Sequence, residues 1–383
     1  AYPYSEFSVV ASPLPTGFGM PTLTYIGADV LRLPFIRATS LGHEILHNWW
    51  GNGVYVDYEQ GNWSEGLTTF MADYAFKEGS AQDGARAMRL GWLRDFSALA
   101  NEARQPLRAF RSRTHSASAA VGYGKAAMLF VMLRDQIGEA AFRQGIRDFW
   151  TKNQFRVASW QALQTAFEDA SGQNLKTFFA GWLDTSGAPK LAVRDARIQA
   201  TGKRFQLELA IEQQGTPRIS RIPIELSAGN KREIRWISAK TANETVSVDL
   251  DFRPQSVRLD PDIRLWRQLD AQEMPPILRQ WIAAAAPRVV VAASGAAADA
   301  AMTLAQRFFE VKPQILSGAA LVSAVTHGGP IMIIGTQPEV AASLTQAGLA
   351  TQPAELANRG TAQVWTLLRQ TGAPVAVVSA DNA

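Results

Sequence analysis

The sequence contains no cysteine, which excludes disulfide bonds and thiolate metal ligands. A transition-metal site in this chain must therefore be built from histidine and carboxylate side chains. Histidine is also scarce, and the four present are His43, His47, His115 and His327. Two of the four stand at positions i and i+4, so any histidine-based chemistry is expected in that segment.

Long apolar runs and clusters of basic residues are missing as well. No apolar run reaches the about 18 residues that cross a bilayer, so no transmembrane segment is predicted. The 38 Lys and Arg residues are dispersed among 34 Asp and Glu, which gives no footprint for a nucleic-acid partner. The chain begins at Ala1 without an initiator Met or an apolar leader. We expect a periplasmic or secreted protein if a signal peptide was removed, and a cytoplasmic one otherwise.

The 383 residues exceed what one core usually holds, so a multidomain α+β fold is predicted. Hydrophobic residues make up 47% and charged residues 19%, a balance typical of globular proteins. The pattern changes from mostly helical to alternating apolar runs, and finally to continuous apolar runs separated by helical segments. The expected parts are a mainly helical domain at 1–188, a small β-sandwich at 189–268, a linker at 269–287 and a small α/β domain at 288–383.

The N-terminal stretch differs from the helical region that follows it. Phe7–Ala11 and Leu23–Ile26 have the composition of short β-strands. Between them, Pro13–Gly19 is rich in proline and glycine and is predicted to be a loop.

The strongest chemical signal is the segment His43-Glu44-Ile45-Leu46-His47. A helix is predicted over Ala38–Trp50, ended by the glycine at Gly51, and it places both imidazoles on one face where they can hold one ion. Glu44 then lies beside the metal and can act as the base for a water molecule. The alternative is two helical histidines with ordinary surface or core roles. That alternative is disfavoured because two of only four histidines stand at ligand spacing around a glutamate.

A catalytic zinc site needs a third protein ligand and one open position. Glu65, in Asn62-Trp63-Ser64-Glu65-Gly66, is the best candidate. The residues also fit a capping box, in which Asn62 caps a helix and Glu65 occupies its third position. From these residues alone the two interpretations are equally good.

Attack of an activated water on a carbonyl group builds negative charge on the carbonyl oxygen, and a hydrogen-bond donor there stabilises that charge. Tyr123, in Gly122-Tyr123-Gly124-Lys125, is the candidate, since two glycines free the backbone around it. Ala126–Ile137 is predicted to continue as an apolar helix. The residues alone favour the alternative of a tyrosine at a helix start with its hydroxyl in water.

The segment from His43 to Asn52, followed by Trp63-Ser64-Glu65-Gly66, resembles the aminopeptidase N family of gluzincin zinc metallopeptidases. The resemblance implies a thermolysin-like catalytic domain with one Zn²⁺ ion, and it makes Glu65 the third ligand beside His43 and His47. The family also has 18 residues between the second histidine and the glutamate, whereas this chain has 17. The shorter spacing falls in the loop between the two helices, so the ligand itself is not expected to be displaced.

The resemblance also favours a catalytic role for Tyr123. The family's catalytic tyrosine lies in a Tyr-x-Lys-Gly motif, which Tyr123 and Lys125 match, while Ala126 replaces the glycine. His115 is interpreted as a surface histidine, and His327 has no assigned role.

One family feature is missing. Aminopeptidase N-like enzymes carry a Gly-x-Met-Glu-Asn segment whose glutamate holds the free amine of the substrate. The matching region, Pro15–Tyr25, contains no carboxylate, although Gly17 and Gly19 can present backbone to a peptide substrate. The expected function is a zinc metallopeptidase, aminopeptidase-like in the first place. The alternatives are an endopeptidase or broad peptidase without amine anchoring, and a non-catalytic peptide-binding protein on a peptidase fold.

Overall fold

The chain divides into two compact units, Ala1–Leu269 and Asp270–Ala383. The predicted boundary at residue 188 lies inside the first unit. The computed structural model describes residues 2–381 except 15–16, 34–35, 37–38, 81, 98, 100–103, 114–115, 203, 217–218, 271–272, 274–277, 283, 285, 310, 327–328, 357–359 and 370–372.

A three-stranded sheet opens the first unit. Its strands are β1 (Ser8–Ser12), β2 (Gly17–Met20) and β3 (Leu23–Gly27). Strand β3 is central, parallel to β1 and antiparallel to β2, so β2 forms an edge. The prediction of a loop over Pro13–Gly19 is therefore wrong for its last three residues, which belong to β2. Two glycines in four residues hide the strand pattern, and β2 forms because the hairpin with β3 supplies its hydrogen bonds.

Helices make up most of the region after this sheet. They are α1 (Ala28–Leu31), α2 (Ser40–Leu46), α3 (Ser64–Thr69), α4 (Ala75–Ser80), α5 (Gln82–Ser97), α6 (Ser116–Ala119), α7 (Ala126–Ile137), α8 (Glu139–Asn153), α9 (Trp160–Ser171) and α10 (Lys176–Asp184). Two short strands, β4 (Tyr55–Val56) and β5 (Val157–Ala158), pair in parallel. The helix predicted at Ala126–Ile137 is confirmed as α7. The helix predicted at Ala38–Trp50 corresponds to the shorter α2, which ends at Leu46 where turns begin, and Ala38 lies outside the described residues.

Two π turns interrupt the helices of this region. One, Phe70–Tyr74, joins α3 to α4, and the other, Ala120–Lys125, joins α6 to α7. Helices α3 and α7 cross where Gly66 meets Ala126, since a Cβ added to Gly66 would lie 2.2 Å from the Ala126 Cβ. The contact requires glycine, and it fixes the start of α3 against the start of α7.

Six antiparallel strands complete the first unit, in the stretch where a β-sandwich is predicted. They are β6 (Lys190–Thr201), β7 (Arg204–Gln214), β8 (Arg221–Ala228), β9 (Lys231–Ser238), β10 (Asn243–Leu250) and β11 (Ser256–Leu259). They form two sheets, ordered β10-β7-β6 and β11-β8-β9. On β7 and β8, buried leucines and isoleucines give each sheet an apolar face.

The segment that follows β11 bonds back to the helices. Arg264 makes two hydrogen bonds to the carboxylate of Asp135 at the end of α7, at 2.6 and 2.5 Å. Arg89 of α5 donates to the carbonyl oxygens of Asp262 and Ile263, at 2.8 and 3.0 Å. These contacts connect the helical and strand-forming regions within one unit.

The second unit is an α/β layer, and its core supports that part of the predicted fold. Its strands are β12 (Arg288–Ala292), β13 (Gln314–Ser317), β14 (Ile331–Thr336), β15 (Ala362–Leu368) and β16 (Pro374–Ala380), in the order β13-β12-β14-β16-β15. All pairings are parallel except that of β15 with β16. Its helices are α11 (Arg279–Ile282), α12 (Gly295–Phe308), α13 (Leu321–Ala324) and α14 (Gln337–Gln346). The buried faces of α12 and α14 belong to separate apolar clusters on the central strands, which explains why those strands are continuously apolar.

Among the described residues, no helix combines the length and the apolar character needed to cross a membrane.

Candidate active site

Helix α2 carries both histidines of the predicted metal site. Their ring centroids lie 4.8 Å apart, and both side chains are about nine-tenths buried. The Nδ1 atom of His47 donates a hydrogen bond to the Trp50 carbonyl oxygen at 2.9 Å. A carbonyl only accepts, so the proton of a neutral His47 stays on Nδ1 and its Nε2 lone pair remains available. The turn after Leu46 supplies this partner, because it directs the Trp50 carbonyl back to the ring.

Glu65, in the first turn of α3, faces both rings. Its Oε2 atom lies 3.3 Å from Nε2 of His43 and 3.3 Å from Nε2 of His47. Ligand atoms bound to one tetrahedral zinc at 2.0–2.1 Å are separated by about 3.3 Å. Within the part of the chain that the structure describes, these three residues form the group able to hold a metal ion, with ligand atoms within 4.8 Å of one another. Two nitrogens and one carboxylate oxygen fit zinc.

The capping-box interpretation of Glu65 does not match the structure. The backbone N–H of Asn62, which such a box would bond to Glu65, donates instead to the Phe110 carbonyl oxygen at 2.8 Å. The Asn62 side chain still contacts the first residue of the helix, because its Oδ1 accepts hydrogen bonds from the Ser64 amide and hydroxyl at 3.0 and 2.8 Å. Asn62 therefore makes the contacts at the helix start, and the carboxylate of Glu65 is left facing the two histidines.

The hydrogen bonds around Glu65 show that the cluster favours positive charge. Burial raises the pKa of Glu65, but bonds to His43 and His47 outweigh it and hold that pKa far below its ordinary value. Burial likewise lowers the pKa of His43, but hydrogen bonds to Asp73 and Glu65 raise it to about 10. Carboxylates that hold a proton this firmly also favour a divalent cation at the same place.

Glu44 lies beside the histidines and directly under strand β2. A Cβ added to Gly17 would be 2.7 Å from Oε1 of Glu44, and one added to Gly19 would be 2.8 Å from the Glu44 carbonyl oxygen. The Gly19 amide donates a hydrogen bond to the Glu44 side chain. Burial raises the pKa of Glu44 although the two imidazoles oppose that change. A carboxylate with a raised pKa is a better proton acceptor at neutral pH.

Tyr123 lies in the π turn between α6 and α7, and not at a helix start. Its ring stacks on His43 with centroids 6.1 Å apart, and its hydroxyl is hydrogen-bonded to Glu65. Burial and the charge of Glu65 raise the pKa of Tyr123 well above its ordinary value. The phenol therefore stays protonated and can donate a hydrogen bond at the edge of the site.

The glycines around Tyr123 serve packing, which corrects the prediction that they free the backbone. Neither Gly122 nor Gly124 has a positive φ. A Cβ on Gly122 would lie 2.1 Å from Cζ of Phe110, and one on Gly124 would lie 3.2 Å from the Trp92 side chain. The close rings fix the π turn in place.

The other residues of the tyrosine motif and the remaining histidines lie elsewhere. Lys125 is buried and its Nζ donates to the Thr185 carbonyl oxygen, and burial lowers the pKa of Lys125 to about 7. His115 and His327 lie outside the described residues. Asp73, whose Oδ2 lies 2.7 Å from Nδ1 of His43, was not predicted from the sequence. In the sequence, Asp73 follows Glu65 by eight positions, and that separation does not match a known spacing of metal-site residues.

Comparison with known proteins matches residues 37–182 to the family model described as the Peptidase family M1 domain. The chain is 23% identical over 228 residues to "Probable aminopeptidase 1" of Sulfurisphaera tokodaii, covering 57% of this chain and 28% of that protein. It is 29% identical over 166 residues to "Aminopeptidase N" of Caulobacter vibrioides, covering 42% of this chain and 19% of that protein. The chain therefore spans less than a third of the length of these relatives.

A solved structure also shares the fold. It is titled as Legionella pneumophila aminopeptidase A in complex with aspartic acid, with a TM-score of 0.52 and 19% sequence identity. The match covers 83% of this chain and 36% of that chain. Because the sequence identity is only 19%, this match shows a similar fold of mixed helices and strands and no more than that.

Proposed function

Because the chain belongs to the M1 aminopeptidase N family, we propose that it is a zinc-dependent peptidase that cleaves peptides by attack of water. The observation that carries the proposal is the placement of Glu65 Oε2 at 3.3 Å from both Nε2 atoms of His43 and His47, with Glu44 beside them. A purely structural zinc site has no need of a buried base, so this arrangement favours catalysis over peptide binding alone.

His43, His47 and Glu65 would hold the zinc ion, which supplies Lewis acidity toward the substrate carbonyl when bound. Glu44 accepts a proton from the attacking water and then passes it to the leaving amine. Tyr123 donates its hydroxyl hydrogen to the oxygen that gains negative charge. The raised pKa values of both groups suit these roles, since Glu44 accepts a proton better and Tyr123 keeps its own.

Strand β2 is proposed to bind the peptide backbone. It is the edge of its described sheet, and its Gly17 and Gly19 lie against Glu44. An extended peptide can pair with such an edge through main-chain hydrogen bonds. Phe18 and Met20 alternate with the glycines and are 54% and 42% exposed, so apolar side chains lie beside the path of the substrate.

The substrate class is peptides, with aminopeptidase-like cleavage as the first description. The alternative, a broad peptidase, is favoured by one observation. Strand β2 and its partner β3 contain no carboxylate, so these strands offer no anionic partner for the ammonium of a substrate. An amine without such a partner gains little binding energy, and selectivity for the first peptide bond is weakened.

Two measurements test the proposal. Metal analysis of the purified chain is expected to show about one zinc, which His43→Ala loses. Glu44→Gln is expected to keep the metal and to hydrolyse peptides about 10²–10⁴-fold more slowly, since an amide does not accept the proton. Unchanged metal in His43→Ala, or near-normal turnover in Glu44→Gln, contradicts the proposal. Retained zinc with no turnover of a mixed peptide library would favour the peptide-binding alternative.

A peptide compared in free-amine and N-acetylated forms separates the two kinds of peptidase. Comparable cleavage of both forms supports the broad peptidase. If acetylation abolishes cleavage, the enzyme recognises the amine, and the inference drawn from the missing carboxylate is wrong.

A further inference from the structure

We propose that Asp73 is a positioning residue for His43, and that the π turn Phe70–Tyr74 brings it into place. The inference rests on the proposed zinc site. Its main observation is the 2.7 Å separation between Oδ2 of Asp73 and Nδ1 of His43. Asp73 does not reach the space between the ligand atoms, because it contacts the opposite nitrogen of the ring.

The π turn explains how one helical segment supplies two carboxylates to the same imidazole. Asp73 follows Glu65 by eight residues, which in a regular α-helix places it about 80° around the axis from Glu65. A π turn accommodates one additional residue, so later residues are set back by about one position. Asp73 then points in the direction that a residue seven positions after Glu65 has in a regular helix, about 20° around the axis from Glu65. Glu65 thereby reaches Nε2 of His43 and Asp73 reaches Nδ1.

The bond from Asp73 determines which nitrogen of His43 is available. An ionised carboxylate only accepts, so the neutral imidazole keeps its proton on Nδ1 and directs the Nε2 lone pair toward Glu65 and His47. Without Asp73, a neutral ring is free to carry its single proton on Nε2 instead and to donate it to Glu65 Oε2, 3.3 Å away. That hydrogen bond would occupy the position of the metal with a proton.

The two histidines are thus held by different partners. His47 donates to the neutral carbonyl of Trp50, whereas His43 faces a charged carboxylate that is only 22% exposed. A carboxylate behind a metal-bound imidazole strengthens it as a ligand, and loss of such a partner typically weakens metal affinity about 10–100-fold. His43 is therefore the ligand whose contribution to zinc affinity depends on a neighbouring carboxylate, that of Asp73.

The test is zinc affinity, measured by competition with a chelator in the full chain. Asp73→Ala removes both charge and acceptor, and is expected to raise the zinc Kd about 10–100-fold. Asp73→Asn keeps an acceptor oxygen and should fall between Asp73→Ala and the wild type. Asp95→Asn is the matched control, because Asp95 is an exposed carboxylate paired with Arg94 on α5 and its loss should leave the Kd unchanged.

The outcomes distinguish this inference from the proposed function. A wild-type chain that binds no zinc overturns the zinc site, and the role of Asp73 with it. A wild-type chain that binds zinc while folded Asp73→Ala binds it equally well overturns the positioning role alone. If Asp73→Ala does not fold, Asp73→Asn decides, and a Kd within twofold of the Asp95→Asn value contradicts the proposal.

Discussion

A methyl group added to Gly17 is expected to displace Glu44, the proposed catalytic base, without touching a proposed metal ligand. The new Cβ would stand 2.7 Å from Oε1 of Glu44, 3.1 Å from its Cδ and 3.2 Å from its Cγ. Ordinary contacts between such atoms begin at about 3.5 Å, so the carboxylate must move by about 1 Å. A misplacement of that size can lower the rate about 10²-fold. Gly17→Ala should therefore lose kcat while retaining zinc.

Gly19→Ala is a harsher form of the same perturbation. Its Cβ would meet the His47 Cβ at 2.7 Å and the Glu44 carbonyl oxygen at 2.8 Å, and neither atom can rotate away. Strand β2 must shift, which strains the 3.0 Å hydrogen bond from Asn52 to the Gly19 carbonyl oxygen. Overpacking of this kind costs about 1–3 kcal/mol of stability, so Gly19→Ala should lower the Tm as well as the rate.

Steady-state kinetics, metal analysis and thermal melting of each variant check these expectations. Gly91→Ala is the control, because an added Cβ there meets no atom within 4 Å. It lies inside helix α5 and should gain up to about 1 kcal/mol of stability with unchanged activity. If Gly17→Ala keeps kcat/KM within twofold of the wild type, β2 does not lie over the base during catalysis and the reasoning fails.

Three further predictions follow from the site and its support. Tyr123→Phe should retain zinc and lose up to about 10²–10³-fold in kcat, as expected for one oxyanion donor, and full activity in steady-state assays would deny Tyr123 that role. Lys125→Met should flatten the rise in stability between pH 7 and 10.5, because the unfolded chain keeps the Lys125 proton that the folded chain releases near pH 7. Since each pKa unit corresponds to about 1.4 kcal/mol, the free energy of unfolding of the wild type rises by at most about 5 kcal/mol through this group. Urea melts at pH 7 and pH 10 check this, and an equal change in wild type and Lys125→Met would contradict it. Gly66→Ala should separate α3 from α7, because its Cβ would lie 2.2 Å from that of Ala126, and a normal Tm with normal zinc content would refute it.

The grouping of His43, His47 and Glu65 into a candidate metal site was predictable, because it depends on the spacing of residues close together in the sequence. His43 and His47 share a helical face at one-turn separation, and the glutamate between them needs no tertiary information. Glu65 was ambiguous, since a capping box and a ligand require the same residue near a helix start. Only the hydrogen bond of the Asn62 amide to the Phe110 carbonyl oxygen, a contact between distant residues, separates the two.

Features that depend on close packing escaped prediction. Strand β2 contains Gly17 and Gly19 because α2 leaves no room for side chains, so the usual strand pattern is absent. The π turns change the angular positions of Asp73 and Tyr123 relative to their neighbours, and no composition signal marks an additional residue in a helical turn. The apolar runs of the second unit were predicted correctly because β12 and β14 are covered on both faces.

The bonds from the segment after β11 to the helices have a consequence for fragment design. A fragment ending at residue 188 would leave Arg89 and Asp135 without their bonds to Asp262, Ile263 and Arg264. Arg89 also bonds the hydroxyl of the tyrosine that follows Asp73 in the π turn. Truncation would therefore loosen the helical turn behind the first histidine, and a fragment meant to bind metal should extend to Leu269.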